Sequence, residues 1–341
     1  MRALMILGAL ALAGPAQGQD SSLDKVAVSA VSVREDRFPE VAARYPGGIV
    51  ARPRVEFANY VGFRPLQLDL YLHEDRSRSK PRPLILWVHG GGWSRGDARG
   101  SGAFADFPAV LAMVAARGYV VASVDYRLSG EARFPAQIQD VKAAIRYLRD
   151  KAGDYGIDPD RVVLWGGSAG GHLAGLAATT CGVAAFDPPA STGRMGRAAA
   201  QAAKPLAVSD CVQGAALWYG IYDLAALGEQ AGSALGNIAP LLGCEPAACA
   251  DKAEAASPVR HVGPQTPPML LIHGTADEEV AFHQTEEMAT ALKTAGRPVE
   301  TLLIPEMGHG LIGKTPAATR AANLQALERT LDFFARVTTR R

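Results

Sequence analysis

Apolar and polar positions alternate in two stretches near the start of the chain, and then the rhythm changes. Val55–Val61 and Leu66–His73 alternate around Gly62-Phe63-Arg64-Pro65, which predicts an antiparallel hairpin with one exposed face. The next apolar runs are short and continuous: Leu84–His89, Val120–Asp125, Val162–Trp165, Val212–Trp218, Met269–His273 and Val299–Ile304. Strands buried on both faces need runs of that kind. Between them, apolar residues recur every three or four positions in Ala109–Arg117, Ala136–Lys151, Ala169–Thr179, Thr285–Thr294 and Ala321–Arg336. Ile138, Val141, Ile145 and Leu148 make one such helical stripe. The alternation predicts an α/β fold, with a mostly parallel eight-stranded sheet, helices on both faces and an antiparallel hairpin at its start.

This pattern occupies residues 55–341 as a single domain. Two segments interrupt it, near 183–210 and 225–263, both rich in Ala, Gly and Pro. They are expected to line or partly cover a cleft. Residues 19–54, punctuated by Pro39, Pro46, Gly47, Gly48 and Pro53, read as an N-terminal arm. Ahead of the arm, Arg2, the short apolar run Ala3–Ala13 and the small residues of Ala16-Gln17-Gly18 form the pattern of a signal peptide over 1–18. No later run is long enough to cross a bilayer, so stable membrane insertion is not expected. The expected location is secreted or periplasmic.

Four cysteines agree with an oxidising compartment. They allow three pairings. The short turn between Cys244 and Cys249 favours that bridge and leaves Cys181 with Cys211. No histidine or second cysteine pair stands at zinc-ligand spacing, so no metal is expected. The 35 basic and 34 acidic residues nearly cancel to a net charge of +1, and the basic ones are scattered. That excludes a nucleic-acid partner.

The strongest chemical signal is Gly166-Gly167-Ser168-Ala169-Gly170, between an apolar strand and a helix. A strand-to-helix turn this tight leaves no room for side chains at its flanks, and it holds a serine hydroxyl exposed at its tip. The bland alternative for Ser168 is a helix N-cap. A serine needs a base, and the base needs an orienting acid. Asp277 follows one buried strand and His309, in Gly308-His309-Gly310, follows the next. The order Ser, acid, His is the one this strand arrangement uses. Glu278, Glu279 and Glu306 are rival acids. His172 is expected to pack inside the elbow helix and His89 to brace its loop. His89-Gly90-Gly91-Gly92-Trp93 supplies a glycine run after a strand, whose Gly91 and Gly92 amides, with that of Ala169, form a candidate oxyanion hole. Trp93 and Tyr126 are candidate substrate contacts. Gly90-Gly91-Gly92 lacks the Lys-Ser/Thr ending of a nucleotide loop, and no dinucleotide fingerprint follows a first strand.

Together, the motifs at 89–93, 125–128, 166–172, 274–277 and 308–310 resemble those of α/β-hydrolase serine esterases. The branch they resemble is the feruloyl-esterase-like carbohydrate esterases, related to the hormone-sensitive-lipase-like group. The resemblance implies an α/β-hydrolase fold and a cofactor-free hydrolase. It implies carboxylic ester substrates, small or linked to polysaccharide, such as acetyl or feruloyl decorations. The chain departs from the hormone-sensitive-lipase-like pattern in having Gly167 where an acid usually precedes the serine. Glu278 also replaces a common proline after the acid. Two rival readings share the fold, a serine exopeptidase of prolyl-oligopeptidase type and a catalytically silent binding protein. The sequence leaves the oligomeric state open.

Overall fold

Strand β4 (Arg82–Val88) shows how the sheet is built. Leu84, Leu86 and Val88 point to one face and Ile85 and Trp87 to the other, and all five are fully buried. Two hydrophobic cores, one on each face, account for a strand with no polar alternation. The computed structural model describes residues 41–75, 80–192, 207–225 and 235–339. The signal peptide and most of the expected arm fall outside them.

The sheet has nine strands, in the order β1-β2-β3-β5-β4-β6-β7-β8-β9. β1 (Ala43–Tyr45), β2 (Ile49–Ala58) and β3 (Leu66–His73) are antiparallel, as is the junction of β3 with β5 (Val120–Val124). β4, β5, β6 (Ile157–Gly167), β7 (Gly214–Trp218), β8 (Met269–Gly274) and β9 (Val299–Ile304) run parallel. The helices follow the expected segments closely: α1 (Phe107–Ala116), α2 (Ala136–Asp150), the short α3 (Ala152–Tyr155) and α4 (Ala169–Thr179) come first. After β7 come α5 (Leu235–Leu242), α6 (Ala250–Ala255), α7 (His283–Thr294) and α8 (Pro316–Val337).

Two expectations are corrected. The sheet begins within the presumed arm: residues 43–58 are strand and turn, and β2 ends at Ala58 rather than Val61. Gly47 (φ 79°) and Gly48 (φ 68°) are left-handed, closing a hairpin in which Tyr45 faces Ile49. Pro46-Gly47-Gly48 therefore closes a tight turn within the sheet and is not part of a loose arm. This hairpin supplies the ninth strand, one more than the eight expected.

The stripe Ile138, Val141, Ile145 and Leu148 of α2 shares one core with the strands of that face and with Leu173 and Leu176 of α4. On the other face Phe107 and Leu111 of α1 and Phe333 and Phe334 of α8 cover Trp87, Trp165 and Trp218. Each such side chain contributes roughly 1.5–3 kcal/mol by leaving water. The three tryptophans stack edge to face across β4, β6 and β7, at 4.7 and 5.2 Å between ring centroids. They form a rigid floor directly below the ends of these strands. Both expected disulfides are present, with Cα–Cα distances of 4.6 Å (Cys181–Cys211) and 6.3 Å (Cys244–Cys249). Among the described residues no helix is long and apolar enough to cross a membrane.

Candidate active site

The turn from β6 into α4 is as tight as its glycines suggest. A Cβ on Gly166 would collide with the carbonyl of Gly170, and one on Gly170 with the carbonyl of Val88. Ser168 itself takes φ 56°, ψ −124°, a strained conformation for a residue with a side chain. Its N–H is tied to the Trp218 carbonyl at 2.9 Å, so the strain is held by the neighbouring strand. Ser168 occupies the N-cap position of α4, yet its hydroxyl caps no backbone N–H. The hydroxyl is turned instead to His309.

Ser168 Oγ lies 2.9 Å from His309 Nε2, and His309 Nδ1 lies 2.8 Å from Asp277 Oδ2. Asp277 is fixed in turn. Its Oδ1 accepts the N–H groups of Glu279 and Val280, each at 2.9 Å, and its Oδ2 accepts from His273 Nε2 at 3.1 Å. Burial by itself would push the Asp277 pKa up. The hydrogen bonds from His273 and His309 outweigh it and hold the carboxyl well below the usual carboxylate range. Those hydrogen bonds favour the charged form of Asp277 beside the His309 ring. Of its rivals, Glu279 reaches the other side of the His309 ring, at 3.9 Å from Nε2, and Glu306 faces Lys314.

The glycine run comes to the same point. A Cβ on Gly90 would touch the Gly167 carbonyl at 2.9 Å and Ser168 Cβ at 3.2 Å. Gly91 (φ 108°) and Gly92 (φ 57°) take left-handed conformations, and among the described residues neither amide has an acceptor. Ala169, first residue of α4, has an N–H that the helix leaves free. These three amides border a cleft of about 610 Å³ with Ser168 and His309 on its wall.

A family model, BD-FAE, matches residues 68–292. The chain belongs to the BD-FAE family. The esterase LipQ of Mycobacterium tuberculosis is 31% identical over 240 residues, which is 69% of this chain and 51% of that protein. The probable carboxylic ester hydrolase LipM of the same organism is 28% identical over 76% of this chain and 56% of its own length. The chain thus spans about half the length of these curated relatives. Two solved structures match it over most of both chains. A truncated form of a carbohydrate esterase from gut microbiota is 29% identical, with TM-score 0.67, over 85% of this chain and 96% of that one. Esterase Est2 of the planctomycete Thermogutta terrifontis is 27% identical, with TM-score 0.64, over 86% and 93%.

Within this BD-FAE site one of the two aromatic candidates, Tyr126, is corrected. Tyr126 is fully buried, stacks on His89 at 4.2 Å and donates its hydroxyl to the His89 carbonyl. It does not border the cleft. Trp93 is also fully buried, and its Nε1 donates to His172 Nδ1 at 3.0 Å. Trp93 still borders the cleft, with its indole N–H tied into the core. An aromatic residue after a strand reads the same in sequence whether it faces core or cleft. His172 packs in the elbow helix as expected, passing on a hydrogen bond from Nε2 to the Ala256 carbonyl at 2.7 Å. Asp125 anchors the loop at the Ala98 amide, 2.7 Å away.

The two interruptions differ. From the second, Asn237 of α5 lies against Gly92 and borders the cleft. The described part of the first does not reach it. Asp187 and Asp210 pair instead with Arg146 of α2, and Asp210 with Lys142. The reason is the eleven-residue α4, which carries the chain roughly 16 Å away from Ser168 before this segment begins.

Tyr219 was not anticipated. It follows β7 at φ 37°, and its ring meets His309 edge to face at 5.0 Å. Its hydroxyl fills the space in front of Gly167, where an added Cβ would approach it to 3.1 Å. Tyr219 therefore occupies the place a side chain before the serine would need, which accounts for Gly167.

Proposed function

We propose that this chain is a cofactor-free serine esterase hydrolysing carboxylic esters through an acyl-enzyme. The observation that carries the proposal is the His309 ring, bridging Ser168 Oγ at 2.9 Å and Asp277 Oδ2 at 2.8 Å. His309 takes the proton of Ser168 as the hydroxyl attacks the ester carbonyl. The amides of Gly91, Gly92 and Ala169 receive the oxyanion, each donor contributing about 3–4 kcal/mol to the transition state. The imidazolium then protonates the departing alcohol, and water attacks the acyl-enzyme by the reverse path. Asp277 fixes the tautomer and stabilises the charged ring.

The named relatives support ester chemistry. Est2 structures carry propionate or butyrate, and the gut-microbiota protein is described as a carbohydrate esterase. On that basis the substrates are small alkyl or aryl esters, or acetyl and feruloyl decorations of carbohydrates. The two disulfides support export, to the periplasm or outside the cell. The test is a panel of acetyl, butyryl and feruloyl esters, free and on xylan, beside dipeptide anilides. The proposal expects turnover of esters and none of anilides. Anilide turnover at comparable kcat/KM, or no turnover of any ester, contradicts it.

A further inference from the structure

The loop that carries Asp277 brings a second carboxylate to the site. Asp277 Oδ1 accepts the N–H groups of Glu279 and Val280, which turns the chain back on itself. That turn brings Glu279 Oε2 to 3.9 Å from His309 Nε2. This is the nitrogen that faces Ser168 Oγ, and it lies on the opposite side of the ring from Asp277. The Glu279 side chain is 57% exposed and borders the cleft. Among the described residues no lysine or arginine pairs with it.

The chemistry of Nε2 decides which part of a substrate this carboxylate meets. On the reading above, Nε2 delivers its proton to the departing ester oxygen, so that oxygen comes within hydrogen-bond reach of the ring. The carbonyl oxygen is turned away, toward the amides of Gly91 and Gly92. A carboxylate 3.9 Å from Nε2 therefore flanks the alcohol portion and not the acyl portion. A plain alkyl alcohol offers Glu279 only C–H groups, and crowding them against an exposed anion costs it hydration. An alcohol with a hydroxyl on the adjacent carbon offers an O–H donor about 3 Å from the ester oxygen, in the direction of Oε2.

We infer that Glu279 is a specificity-determining residue on the alcohol side, accepting a hydrogen bond from the hydroxyl vicinal to the scissile ester. The preferred leaving alcohols are then polyols such as sugar rings. This deepens the esterase reading and rests on it.

Two esters sharing one acyl group test it: 1-monoacetylglycerol, with a vicinal hydroxyl, and propyl acetate, its deoxygenated counterpart. The readout is the ratio of their kcat/KM values in the wild-type chain and in Glu279→Gln and Glu279→Ala. The wild type is expected to favour the glycerol ester about tenfold or more, as a charge-assisted hydrogen bond allows. Both variants are expected to lose most of that ratio, whatever their absolute rates. A ratio that changes less than threefold overturns the inference. Equal slowing of both esters would instead show Glu279 acting through His309. Failure of the wild type to hydrolyse either ester, or p-nitrophenyl acetate, removes the esterase reading beneath it, and is seen before any variant is made.

Discussion

Two histidines stand beside the α4 elbow in opposite surroundings. His309 is 17% exposed, and its nitrogens face a serine hydroxyl and a carboxylate. His172 is fully buried, and its nitrogens face the Trp93 indole and a backbone carbonyl. Nδ1 of His172 accepts from Trp93, so the proton sits on Nε2 and the neutral ring is fully satisfied. A second proton would have to displace the Trp93 bond, and burial pushes the pKa down to about 4. His309 has a charged partner ready for the proton it gains. The side chain is the same, and its surroundings decide whether a second proton has a partner or must break a bond.

Substitution separates the two. His309→Ala is expected to lower kcat on p-nitrophenyl acetate by about 10⁴-fold while leaving the thermal midpoint within a few degrees. A midpoint that falls with activity would mean that His309 is structural. His172→Ala reverses the pattern. It leaves the Trp93 N–H without an acceptor and opens a cavity in the core, at a cost of about 3 kcal/mol in a denaturant titration. Its kcat should fall less than a hundredfold, through loosening of the glycine run.

Acid sharpens the comparison further. In the unfolded chain a histidine takes up its proton near pH 6.5, whereas folded His172 waits until about pH 4. The unfolded state thus binds the extra proton over that window. The stability His172 contributes is fully present above pH 6.5, drains as pH falls toward 4 and is gone below it, about 3 kcal/mol in all. His89, pushed down to about 4 by burial, adds a loss of the same sign. Stability measured between pH 7 and 4.5 in wild type and in His172→Gln isolates this contribution, since the carboxylates cancel in the difference. Parallel pH curves for the two proteins would count against it.

The smallest expected effect concerns His273, which donates to Asp277 from inside the core. His273→Gln should lower kcat about tenfold, by loosening the acid without neutralising it. A kcat within twofold of wild type would leave Asp277 positioned by its backbone donors alone.

The sequence made the sheet legible because its strands are buried on both faces and leave unbroken apolar runs. β1 escaped notice because three residues on an edge carry no period, and its glycine turn looked like linker. In the candidate site, the approach of Ser168, Asp277 and His309 to one another was readable from chain order and from the glycines around them. Tyr126 was misread because ring chemistry does not tell which way a residue at a strand end faces. Tyr219 and Asn237 carry no local motif, and only the fold brings them to the cleft. Glu279 was visible only as a rival to Asp277. Its distinct place depends on the direction in which the turn at 277–280 winds.

The central claim is that Ser168 is a nucleophile activated by His309. It is tested most directly by incubating the protein with a fluorophosphonate and locating the adduct by peptide mass. The account predicts one adduct, on the peptide containing Ser168, absent from Ser168→Ala and formed at least a thousandfold more slowly in His309→Ala. An adduct on another residue, or undiminished labelling of Ser168→Ala, would contradict it.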